Sequence, residues 1–230
     1  MQKKKRSYKK ILIISSLIIL GVIGAGYITL EYLKSLFESK ITGCKLESTS
    51  FNTVIDFEYV NNWIVVYAKV GDSDKEYPFI FDTGAQTIIL DSLKSEIGQN
   101  SYDSHSFSNS SRNDKTAFNN ELISIKKLSL GDVSFSDIGS ISAINSKWGM
   151  LNCISPYGII GYNVIQTCCY QINYSKKQIT MTDNVEKLIN YNDIQWVSYT
   201  PSKYQESPII EATLNDSIKL KLFFYTGMSC

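Results

Sequence analysis

Histidine is almost absent from this 230-residue chain, and its scarcity excludes whole classes of chemistry. With His105 alone, a multi-histidine zinc site is ruled out. A Ser-His-Asp or Cys-His triad would need that one ring, which sits in a polar Ser/Asn run with no nucleophile elbow nearby. No Walker-type or Gly-x-Gly-x-x-Gly loop is present to cradle phosphate. Only 4 prolines stand against 15 tyrosines and 10 phenylalanines, which marks a β-rich globular chain rather than a disordered one. The 5 cysteines form no Cys-x-x-Cys pair, and an odd number cannot all pair within one chain. Adjacent Cys168 and Cys169 point to opposite faces of a strand, so they do not bridge each other. Neither a metal nor a cofactor is expected.

The formal net charge of +1 is unevenly spread. Lys3, Lys4, Lys5, Arg6, Lys9 and Lys10 hold 6 of the 23 basic residues, leaving 17 against 22 acids, a balance of −5. Nothing beyond residues 1–10 suggests nucleic-acid binding. Residues 11–30 then run without a charge, and twenty residues of helix rise about 30 Å, the thickness of a hydrocarbon core. Gly24-Ala25-Gly26 offers a signal-peptidase site, but apolar residues continue to Leu30 and Leu33, which favours an uncleaved anchor. The basic flank is expected to stay cytoplasmic, with the remainder carried across the membrane. Residues 31–50 read as a stalk, helical to about Lys40 and then a loop.

From Thr53 the pattern is that of strands. Val66, Ala68 and Val70 share one face, and Gly71-Asp72-Ser73-Asp74 is a hairpin turn. Asp91 is placed to cap a short helix over residues 92–97, stopped by Gly98. Residues 99–120 are polar, with almost no apolar periodicity, and read as a loop. Strands resume at residues 122–144 around a turn at Gly131-Asp132, and again at 158–161, 170–174 and 179–182.

One stretch organises the rest. Phe-Ile-Phe-Asp-Thr-Gly-Ala-Gln-Thr-Ile-Ile-Leu, residues 79–90, sets a single acid, Asp82, between two apolar runs. Burying an unpartnered charge costs several kcal/mol, so the small residues after it must bring backbone amides close. An ordinary turn aspartate is the plain alternative. Asp82-Thr83-Gly84-Ala85 after an apolar strand resembles the catalytic loop of retropepsin-like aspartic proteases. So does the later Gly158-Ile159-Ile160-Gly161-Tyr162-Asn163-Val164-Ile165, which in that family threads beside the loop. The resemblance spans residues 51–182. It implies a closed β lobe with Asp82 as catalytic acid, Thr83 and Gly84 shaping its loop, a flap in residues 99–120, and a peptide or protein substrate.

The last residues repeat the motif in altered form. Leu-Phe-Phe-Tyr-Thr-Gly at 222–227 lies 143 residues after Phe-Ile-Phe-Asp-Thr-Gly, and Ile210, Ala212 and Leu214 match Val66, Ala68 and Val70 at an offset of 144. Such duplication resembles the two-lobed plan of pepsin-like enzymes, in which each lobe gives one acid. Here Tyr225 stands where the second acid belongs, followed by Thr226 and Gly227, and residues 195–230 offer two strands of an incomplete second lobe. Two carboxylates about 3 Å apart share one proton, one activating water and the other polarising the carbonyl. A phenol is neutral near pH 7 and donates a hydrogen bond, but does not take a carboxylate's part.

The expected architecture is therefore mainly β. It has a basic segment (1–10), a transmembrane anchor (11–30), a stalk (31–50), an aspartic-protease-like lobe (51–182) and the first strands of a second lobe (195–230). Three functions stay open. One is an aspartic-type endopeptidase, its missing acid supplied by a second copy meeting the catalytic-loop face. Another is an inactive, protease-like peptide-binding module, and the third is a structural extracytoplasmic β domain.

Overall fold

The computed structural model describes residues 2–105, 121–149, 151–188, 195–202 and 207–227, with the side chains of 2–12 and 37–41 outside the described set. The chain divides into two compact units, residues 1–39 and 40–230. In the first, helix α1 (Gln2–Thr42) begins, and Ile13–Leu36 within it is long and apolar enough to cross a membrane. Its described large apolar side chains are exposed.

The second unit is built of strands. In chain order they are β1 (Lys45–Leu46), β2 (Asn52–Asp56), β3 (Glu58–Val60), β4 (Trp63–Val70), β5 (Glu76–Phe81) and β6 (Ile88–Leu90). After helix α2 (Asp91–Ile97) come β7 (Tyr102–His105), β8 (Glu121–Leu130), β9 (Val133–Ala143), helix α3 (Leu151–Ile154), β10 (Gly158–Ile160) and helix α4 (Tyr162–Ile165). Last are β11 (Cys169–Asn173), β12 (Gln178–Thr182), β13 (Thr200–Pro201), β14 (Pro208–Leu214) and β15 (Ile218–Phe223). Six of them, in the order β9-β6-β10-β5-β4-β8, close into a barrel because β8 pairs back onto β9. This is the closed β lobe expected from the sequence. Closure leaves its central strands no free edge.

Alternation explains the core. Val66, Ala68 and Val70 are all fully buried, with Phe79, Phe81, Ile123, Ile125, Leu128 and Phe135 packed against them. Each of these side chains larger than alanine contributes roughly 1.5–3 kcal/mol on leaving water. β10 threads between the two strands that flank Asp82. It runs parallel to β5 (Ile159 opposite Ile80, Ile160 opposite Phe81) and antiparallel to β6 (Gly158 opposite Ile89). The hairpin β14–β15 reproduces the register of β4–β5: Ile210 faces Leu222 as Val66 faces Phe79, and Ala212 faces Leu220 as Ala68 faces Tyr77.

Two local expectations change. Residues 102–105 are strand, not loop, pairing with β8 from Tyr102 opposite Ile125 to His105 opposite Leu122. Only Tyr102 turns fully inward there, so the strand shows no apolar alternation. His105 is partly buried and bonded to Ser124 Oγ at 3.0 Å. The remainder of the expected flap, residues 106–120, lies outside the described residues. Asp91 opens α2 without capping it; its carboxylate instead accepts the Asn145 N–H at 2.8 Å.

Candidate active site

The end of β5 delivers Asp82 into a loop that meets residues 224–227. The Asp82 N–H donates to Ile160 O (3.1 Å), so β10 fixes where the loop begins. Asp82 is 8% exposed, and its carboxylate accepts the Gly84 N–H at Oδ1 (2.7 Å) and a backbone N–H from Gly227. Burial nevertheless dominates these two bonds and raises the carboxyl above its ordinary 3.8. The acid holds its proton to higher pH than a surface aspartate.

Thr83 and Thr226 clasp the two loops together. The Thr83 N–H donates to Thr226 Oγ1 (3.0 Å) and the Thr226 N–H to Thr83 Oγ1 (3.2 Å). Thr83 Oγ1 then donates to Phe224 O (3.1 Å) and Thr226 Oγ1 to Phe81 O (2.9 Å). Four bonds in matched pairs give the crossing a local two-fold character. The glycines obey the same symmetry. A Cβ on Gly227 would fall 2.3 Å from Asp82 Cγ, and one on Gly84 would fall 1.4 Å from Tyr225 Cδ1. Each loop's glycine thus lies beneath the other loop's key side chain, and Tyr225 occupies the counterpart of Asp82. Its half-buried ring also stacks on Phe223, 5.7 Å away and 5° from parallel.

All six residues singled out from the sequence, Asp82, Thr83, Gly84, Tyr225, Thr226 and Gly227, therefore meet at one place. Three others arrive without having been singled out. Fully buried Ser207 donates from Oγ to Gly84 O (3.2 Å). Thr87 and Asn163, 0% and 1% exposed, bond to each other just behind the loop. A polar residue within an apolar run, as Asn163 is, or at the head of one, as Thr87 is, signals a buried partner; Ser207 leaves no comparable signal.

A cavity of about 190 Å³ adjoins Thr83, lined also by Tyr162, Cys168, Tyr170, Tyr199 and Pro208. Burial pushes the Tyr170 phenol up to about 12 and the Cys168 thiol to about 11, so both are neutral there. Among the described residues no three metal-ligating side chains converge, and Cys44, Cys153, Cys168 and Cys169 are free thiols.

No family model matches the chain, and no curated protein matches it. Among solved structures, it is similar to the crystal structure of a retropepsin-like aspartic protease from Rickettsia conorii. The two share 11% identity and a TM-score of 0.39 over 60% of this chain and 94% of that one. So distant a likeness transfers no residue and no activity.

Proposed function

We propose that the chain is an aspartic-type peptidase with one carboxylic acid, Asp82, at its centre. The observation that supports this is the burial of Asp82 where two threonine-clasped loops each aim a backbone N–H at its carboxylate. Ionised Asp82 would take a proton from a water as its oxygen bonds to the peptide carbonyl carbon. The same proton passes to the departing amine as the C–N bond breaks. The developing oxyanion needs a donor, and the phenol assigned that part is Tyr225, whose ring lies against Gly84. Lacking a proton-sharing dyad, the site is expected to turn over slowly.

Tyr225 on Gly84 also favours a second reading, a module that binds extended peptide without cutting it. A second copy's Asp82 could reach the same face only by displacing the chain's own Tyr225 loop, so clasping and dimeric catalysis are competing states. The basic residues before the apolar helix support an N-terminus in the cytoplasm and a lobe on the other side.

The test is mass-spectrometric detection of peptide cleavage by the full chain, with a statine-type inhibitor and Asp82→Asn as controls. Cleavage lost in both controls supports the peptidase. Peptide binding with no cleavage supports the module, and an Asp82→Asn variant that cleaves as well as wild type reduces Asp82 to a turn residue.

A further inference from the structure

Behind the Asp82 loop lies one fully occupied carboxamide. Asn163 Oδ1 accepts both the Thr87 N–H (3.2 Å) and the Thr87 hydroxyl (2.5 Å). Its Nδ2 donates to Gly139 O (2.9 Å) and Gly43 O (3.4 Å). Two donors and two lone pairs are all an amide owns, so its orientation is fixed: flipped, it would face two carbonyls with oxygen. Thr87 Oγ1 in turn accepts the Gly161 N–H (3.0 Å), and the Thr87 carbonyl accepts from Ile141 N–H (3.0 Å). Gly161 must be glycine here, since a Cβ would fall 2.3 Å from Ala85 O.

The loop that starts at Asp82 is thus pinned at its far end by side-chain bonds as well as by backbone ones. Ile160 holds residue 82, Tyr162 N–H holds Ala85 O (2.8 Å), and the Thr87–Asn163 pair holds the exit. Asn163 also joins that exit to β9 and to Gly43, where the chain arrives from α1.

We infer that Asn163, acting through Thr87, is the positioning residue that sets the path of residues 82–87 and links it to the chain's point of arrival at Gly43. This rests on Asp82 being the working acid, but its test needs no cleavage. Asn163→Asp replaces two donors with a carboxylate facing two carbonyl oxygens. Thr87→Val keeps volume and removes the hydroxyl; Thr87→Ser keeps the hydroxyl and removes a methyl.

Full chain in detergent, labelled with 13C at aspartate carboxyls and assigned through Asp82→Asn, gives the Asp82 titration directly, and amide exchange reports the loop. Asn163→Asp and Thr87→Val are expected to move the Asp82 midpoint by about half a pH unit or more. They should also speed exchange at residues 83–87 about tenfold relative to Val66 and Ala68. Thr87→Ser should stay near wild type. If Asn163→Asp fails to fold, the Thr87 pair decides alone. The inference is overturned if the Asp82 midpoint stays put, if exchange rises equally in β4, or if Ser behaves like Val. A wild type that never cleaves peptide removes the peptidase reading and leaves these measurements standing.

Discussion

At the scale of residues, the crossing of two loops depends on two missing side chains. Gly84→Ala sets a methyl into the Tyr225 ring, and Gly227→Ala sets one into the Asp82 carboxyl. Overpacking of this kind costs roughly 1–3 kcal/mol. Tyr225 is half-buried, so removing its ring should recover most of the Gly84→Ala loss and none of the Gly227→Ala loss. A double-mutant cycle in urea measures both, and equal rescue of the two glycine variants would contradict the arrangement. Asp82 gives a second, pH-dependent prediction. Burial raises its carboxyl above 3.8, so the folded chain binds that proton more tightly than the unfolded chain does. Its contribution to stability therefore falls as pH rises through the window above 3.8 and returns on acidification. Measured against non-titrating Asp82→Asn, wild type should gain in melting temperature as the pH is lowered through that window; a constant difference would contradict it. Asp82 was legible because a carboxylate between apolar runs has few uses, Thr83 and Gly84 because Asp-Thr-Gly resembles a known catalytic loop, and Tyr225, Thr226 and Gly227 because they repeat that motif. Ser207 was not, because a serine before a proline resembles any turn.

At the scale of elements, the same hairpin occurs twice in two environments. In β4–β5 the inward face, Val66, Ala68, Tyr77 and Phe79, is buried by β8, β9 and their neighbours. In β14–β15 the matching residues are less covered: Ile210 and Ala212 are half-buried, and Leu220 and Leu222 are 37% and 48% exposed. Register and polarity were readable in both copies because period-two alternation is local; what covers a face is not local. The edge strand β7 escaped notice for a related reason, since one buried tyrosine in four residues makes no pattern. The expected consequence is asymmetric tolerance. Leu220→Lys should change stability by less than about 0.5 kcal/mol, like other surface substitutions. Phe79→Lys buries an unpaired charge at a fully enclosed position and should cost several kcal/mol or prevent folding. Thermal melts compare them, and comparable losses would show that the second hairpin is covered in solution.

At the scale of the whole molecule, an apolar helix and a β lobe meet within a few residues, and the boundary has a structural signature. Gly43 O accepts the Gly139 N–H (2.7 Å) and the Asn163 amide, Leu46 pairs with Phe135, and Cys44 packs against the core. The lobe therefore begins at about residue 43, although helix α1 runs on to Thr42. Composition alone located the apolar run, but not this join, because Gly43 acts through its carbonyl, which every residue possesses. Removing residues 1–39 deletes the membrane-spanning candidate and none of these contacts. That variant should move to the soluble fraction with the lobe's melting temperature almost unchanged. Removing residues 1–46 also deletes β1, the Gly43 carbonyl and two partly buried apolar side chains, Cys44 and Leu46. At about 1 kcal/mol for each hydrogen bond and somewhat more for the packing, the loss is roughly 3–5 kcal/mol. For a lobe of this size that corresponds to roughly 6–20 °C. Calorimetry on the two truncations separates the cases: equal melting temperatures would place the true start of the lobe beyond residue 46 and break the proposed link between Gly43 and the Asp82 loop.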